Sequence, residues 1–259
     1  MPPTEREHLL AALIALLALC AAALPFIPQD AGFHLFADTR HWEGIPNAQN
    51  VLSNLPFALA GAAGLFLMAR GRLLLPNRAF AANGALFFGG LIATAVCSGW
   101  YHATPEGHSL VLDRMGMVLA FAGAFGMLAA ERVSPRAGWA LGLLALVAGP
   151  AAVLWWNATG DLAPYAVVQF GGMLLLLLAA LFWREPGETR WGVMLALYAL
   201  AKVLEIYDYE IFAWSGHLVA GHALKHLVAA ATALAVLVPL YRSSTTSLRT
   251  GRRAEVVVC

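Results

Sequence analysis

Charge is what this sequence has least of. Only 12% of its 259 residues are charged, and 60% are hydrophobic. A soluble domain carries about 25% charged residues. So few charges cannot cover a water-facing surface of this size, which excludes a disordered chain and an ordinary cytosolic enzyme. Cysteine is scarce as well. Cys20, Cys97 and Cys259 are odd in number and far apart, which fits neither a disulfide framework nor a cysteine-based metal site. Lysine is scarcer still, with two residues against 14 arginines, and both Lys202 and Lys225 lie inside apolar runs. No basic stripe with interleaved aromatics exists, so no nucleic-acid partner is expected. The bias to Arg over Lys, with abundant Ala, Leu and Gly, suggests a GC-rich bacterial source.

Long apolar runs are present in their place. A membrane span needs about 20 mostly apolar residues. Eight runs qualify: 8–28, 50–69, 79–101, 110–130, 137–156, 164–183, 190–208 and 217–241. Breakers and charges separate them, including Pro76, Pro135, Pro164, Pro186 and Gly187. The runs are too long and too uniformly apolar for the strands of a membrane barrel. The expected fold is an all-α polytopic membrane bundle of eight spans. The expected divisions are an N-terminal extra helix with an outer-face loop over 1–49, a seven-helix core over 50–241 and a basic tail over 242–259. Residues 8–28 read as a retained helix rather than a signal peptide, because the preceding stretch has two Glu against one Arg.

Arginine sets the expected orientation. With the N-terminus cytoplasmic, twelve arginines fall on the cytoplasmic side: Arg6, Arg70, Arg72, Arg78, Arg132, Arg136, Arg184, Arg190, Arg242, Arg249, Arg252 and Arg253. Arg40 and Arg114 fall outside. Both termini are therefore expected in the cytoplasm, in a bacterial inner membrane.

On this frame the polar residues inside the runs share one depth. Asn50, Ser53 and Asn54 open the second run, Ser98 and His102 close the third, and Asp113 starts the fourth. Glu205 and Asp208 end the seventh, while His217, His222 and His226 begin the eighth. All lie in the outer half of the bilayer. Ionisable groups there are costly and point to a site. His222 and His226 are four residues apart on one helix face, a common way to offer two ligands to zinc. His102 would supply a third ligand and leave a fourth position open, as a catalytic zinc requires. Asp113 could then take a proton from water. His217 lies about 140° from that face and is excluded. His8, His34, His41 and His108 read as loop or interface residues. Lys202, Glu205 and Asp208 are spaced by three. Lys202 with Glu205 reads as a buried pair, Lys225 as a partner of one of these acids, and Glu205, Tyr207 or Asp208 as groups that could orient a histidine. An ion pair locking two helices accounts for the same residues.

Taken together, Asn50-Val-Leu-Ser53-Asn54, Ser98-Gly-Trp-Tyr-His102, Asp113-Arg114 and Gly221-His222-Ala-Leu-Lys225-His226 resemble the alkaline ceramidase family. That family belongs to a wider superfamily with the progestin and adiponectin receptors and GPI-lipid remodelling proteins. The resemblance spans about residues 42–241. It implies a seven-helix core, a zinc ion held by His102, His222 and His226, catalysis by Asp113 and a place for Ser98 beside the metal. Residues 8–28 would be an addition before that core. Eukaryotic members carry an acidic calcium-binding segment before the first core helix. Here only Asp38, Glu43 and Asn47 offer side-chain oxygens, few against the six to eight that calcium takes.

The function this resemblance implies is zinc-dependent amide hydrolysis of a membrane lipid, ceramide or a related N-acyl lipid, giving a fatty acid and an amine such as a sphingoid base. Ser98 would help to stabilise the oxyanion. Hydrolysis of an acyl ester or GPI-type lipid, a receptor-like module with a structural metal, and a haem carrier using His102 with one other histidine are the rival readings.

Overall fold

The structure is a computed structural model that describes residues 2–183 and 189–241. Arg184, the Pro186-Gly187 breaker and the 242–259 tail, with Arg242, Arg249, Arg252, Arg253 and Cys259, lie outside the described residues. Among the described residues the only strand-like pairing is an isolated bridge between Trp42 and Ile45. The rest is helix and connecting loop. The helices are α1 (Pro3–Ala23), α2 (Ala48–Ala69), α3 (Arg78–Ala103), α4 (Gly107–Arg132), α5 (Pro135–Thr159), α6 (Ala163–Phe182), α7 (Trp191–Ile206), α8 (Asp208–Trp214) and α9 (Gly221–Tyr241). All but α7 and α8 are long and apolar enough to cross a membrane, so the chain is an all-α polytopic bundle.

The seventh apolar run, expected as a full span, is α7. Its 16 residues reach about 24 Å, against a hydrocarbon core of about 30 Å. Glu205 and Asp208 cut its apolar stretch short. The chain breaks at Tyr207 and continues as α8.

Local sequence explains where the helices start and stop. The Asn77 side chain accepts from Phe80 N at 2.9 Å to cap α3, and Ser134 accepts from Ala137 N at 3.0 Å to cap α5, with Pro135 just inside. Glu106 and Ser109 form a capping box that opens α4. Gly160, at φ +80°, ends α5 in the left-handed conformation. Asp161 then accepts from Ala163 N and Ile27 N, and these two bonds hold its carboxyl below the usual carboxylate range.

At the centre stands α4, packed most closely against α3 and α5. Small residues make the α3–α4 approach possible. A Cβ on Gly90 would lie 2.3 Å from Ala120 N, and one on Gly123 would lie 2.3 Å from Phe87 N. Lipid tails give no hydrophobic drive between helices, so close backbone packing and buried polar bonds hold the bundle. Asn83 is such a bond, donating to Ala79 O at 2.9 Å and across to Gly138 O at 3.2 Å. By contrast α1 has a single buried residue, Leu10, and rests on α6 at the edge. Near its start Glu7 accepts from the Ser134 hydroxyl, and Arg6 donates to Arg132 O at 3.1 Å.

α7 packs on α9 and, less extensively, on α6, and meets α4 through long side chains, with Trp191 donating to Glu131 and Tyr198 edge-on to Phe121. A gap is left between α4 and α7.

Candidate metal centre

Consecutive helices run up and down, so residues at alternate helix ends meet at one end of the bundle. His102 is the penultimate residue of α3, and the three-residue turn Thr104-Pro105-Glu106 sends α4 straight back. Asp113, two turns into α4, thereby returns to the level of Ser98, whose hydroxyl is within reach of the Asp113 carboxyl. α9 enters from the same end and brings His222 and His226 in its first two turns.

The three histidines converge. The ligand nitrogens of His102, His222 and His226 all lie within 4.8 Å of one another, and each residue is buried. His102 Nε2 and His222 Nε2 face each other at 3.4 Å. Three buried imidazoles in this arrangement could hold a metal ion. Ser53 Oγ stands between Asn50 O at 3.0 Å and His226 Nδ1 at 2.8 Å. With its hydrogen on Asn50 O it accepts from Nδ1, an arrangement that leaves the Nε2 lone pair of His226 free for an ion. Asp113 is buried, and its Oδ1 has no hydrogen-bond partner.

The surroundings fix these side chains in place. Asn47 donates from its amide to His102 O at 2.8 Å. Asp208 accepts from His222 N at 2.7 Å and from Ala37 N at 2.9 Å. It thus caps α9 and ties the 30–47 loop to it, and its bond to His222 is to the backbone rather than to the imidazole. The loop folds over the site. Phe36, itself buried, packs its ring 4.9 Å from His102 and 4.8 Å from His222, centre to centre. Asp38 gives both carboxylate oxygens to Arg40. Burial alone would raise the Asp38 pKa, but these bonds from Arg40 outweigh it and hold the carboxyl below its ordinary value. Glu43 is exposed in a tight turn at φ +48°. Of the oxygen donors considered for calcium, Asp38 is committed to Arg40 and the Asn47 amide is turned to His102.

A cavity fills the gap between α4 and α7. Its volume, counted as room for the centre of a water molecule, is about 140 Å³. Ser98, Asp113 and His226 line its head, and Phe87, Leu91, Ala124, Met173, Leu176 and Met194 line its body. From Ser98 to Phe87 along α3 the depth is about 16 Å. Lys202, Glu205 and Lys225 also line it. Both lysines pair with Glu205, Lys202 with Oε2 and Lys225 with Oε1. The sequence paired Lys202 with Glu205 and Lys225 with one of the nearby acids, and the structure puts both cations on Glu205.

No protein family, curated protein or solved structure matches the chain. The centre is read from its own chemistry.

Of the other histidines, His217 faces Phe212 at 5.0 Å in a left-handed turn, outside the cluster. His34 bonds Tyr101 Oη at 3.1 Å, and His108 pairs with Glu106. Arg114, expected on the outer side, is buried in an aromatic box, with its guanidinium carbon 3.9 Å from the Trp156 ring centre and 4.9 Å from that of Tyr165. Ser53, Asn47 and Phe36 are the site residues that sequence reasoning did not place against the histidines. A buried serine one turn from Asn50 was the available signal for the first.

Proposed function

We propose that the protein is a zinc-dependent intramembrane amidase that hydrolyses the N-acyl bond of a membrane lipid, ceramide or a related N-acyl lipid, as a bacterial member of the alkaline ceramidase family. The observation that carries this reading is the junction of three converging buried histidines, a buried carboxylate with one oxygen lacking a hydrogen-bond partner and an apolar cavity. Zinc suits the donor set, since nitrogens held 2.0–2.1 Å from one tetrahedral ion stand about 3.3–3.4 Å apart, the spacing of the His102 and His222 nitrogens. Three protein ligands leave one position open. When bound, such an ion supplies a Lewis acid that polarises a carbonyl and makes water acidic near neutral pH.

The chain's own residues do the rest. The cavity body takes the acyl chain and brings the amide carbonyl to the level of Ser98 and Asp113. Asp113 receives a proton as water adds to the carbonyl carbon. It returns that proton to the nitrogen as the C–N bond breaks, releasing a fatty acid and a free amine. Ser98 donates towards the carbonyl oxygen as negative charge develops there. Phe36 keeps bulk water off the histidines. The arginine distribution supports an orientation with both termini in the cytoplasm and the site towards the outer face of a bacterial inner membrane.

The test is metal analysis of the purified protein together with fatty-acid release from a panel of N-acyl and O-acyl lipids. About one zinc per chain and release from N-acyl lipids are expected. His222→Ala and His226→Ala should each lose the metal and the activity. Unchanged metal content in both variants, or a zinc-loaded protein that cleaves no N-acyl lipid, overturns the reading.

A further inference from the structure

Both lysines of the chain stand on the wall of one cavity, in a protein that keeps its other basic residues as arginine. Lys202 and Glu205 lie one turn apart on α7, and Lys225 reaches across from α9. An ammonium has three donors, and Glu205 is the acceptor for both. Donor capacity on the two lysines therefore exceeds what one carboxylate can take. Asp113 is the other acid on this wall, and its Oδ1 accepts no hydrogen bond. Lys202, Lys225, Glu205 and Asp113 sum to zero formal charge, so a divalent ion on the three histidines gives the cavity head two net positive charges. In a water-poor bundle such an excess is costly unless a ligand completes it.

Depth decides where that ligand carries its charge. Glu205 is the penultimate residue of α7, at the metal end of the bundle. Lys225 lies between His222 and His226 in sequence and so at their level. The lysines are therefore beside the scissile position rather than down the apolar body that accepts the acyl chain. A group reaching them lies on the amine side of the amide.

We propose that the Lys202–Glu205–Lys225 cluster is a receptor for a carboxylate on the amine portion of the substrate, which makes the preferred substrates N-acyl amino acids and lipids built on them rather than neutral ceramides. This rests on the amidase reading for the position of the amide, but the cluster also binds without turnover. Lys225 presents its ammonium to the incoming carboxylate, and Lys202 shares Glu205 and follows.

The test uses the full chain in detergent and two amides that share an acyl chain, N-oleoylglycine and the uncharged N-oleoylethanolamine. Binding is measured by calorimetry with and without zinc, and hydrolysis by oleate release. N-oleoylglycine should bind at least about tenfold more tightly, the worth of one charged hydrogen bond. Lys225→Gln and Lys202→Gln should each lower that ratio, and Glu205→Gln, which removes the competing acid, should raise it. A wild-type ratio near one, or a ratio that none of the three variants moves, overturns the proposal. If both amides are cleaved and bound alike, the carboxylate receptor falls and the amidase stands. If neither is cleaved while the binding ratio behaves as described, the amidase falls and the receptor stands.

Discussion

Ser53, on α2, bears on which nitrogen of His226 is available. When it accepts from Nδ1, 2.8 Å away, it leaves Nε2 for an ion. Loss of such a supporting contact typically lowers metal affinity about 10–100-fold. Ser53→Ala should therefore weaken zinc binding by about that factor in a competition titration, with the helical content unchanged. Equal affinity would mean that the tautomer is set elsewhere. The converging histidines themselves were legible in the sequence, because two histidines at i, i+4 in an apolar helix are costly to bury and add little to its packing. Their supports were not. Asn47 and Phe36 sit in a loop of no periodicity, and only the folded chain brings that loop across α3 and α9. Asp208 stood out as an acid near the site. Its actual partner is a main-chain N–H, and no side-chain pattern announces that.

At the scale of helices, the α3–α4 hairpin sets the distance between His102 and Asp113, and glycine makes that distance possible. At Gly123 a side chain would meet the main chain of Phe87, which cannot rotate aside. Gly123→Leu should destabilise the protein by about 3 kcal/mol or more, the upper range for overpacking, and lower the thermal midpoint in detergent. Gly89, where a Cβ meets nothing within 4 Å, is the matched control and should tolerate alanine. The long spans were readable from apolar run length alone. Run length passed over the break in the seventh run, where α7 ends at Ile206 and α8 begins at Asp208. It also gave no warning of the gap beside α4, which is a property of packing. Arg114 shows the same limit from the other side. A lone arginine near a span end reads as a loop charge until Trp156 and Tyr165 close around it.

For the whole molecule the arginine count makes a statement about sidedness. With Cys20, Cys97 and Cys259 replaced by serine, a single cysteine at Arg72 should react with an impermeant thiol reagent only from the cytoplasmic side, and one at Glu43 only from the outside of intact cells. Both positions are exposed. Reaction from the reverse sides would move the metal centre to the inner face and change which water and which lipid leaflet supply it.

The scarcity of lysine has a practical consequence at this scale. Lys202 and Lys225 are the chain's only side-chain amines, and both border the cavity. Apart from the α-amine of the chain, amine-directed acylation of the intact protein thus has one compartment to report on. The mass added to the peptides that carry these lysines becomes a gauge of how often that compartment stands open, readable without a substrate, a metal or an assay of turnover.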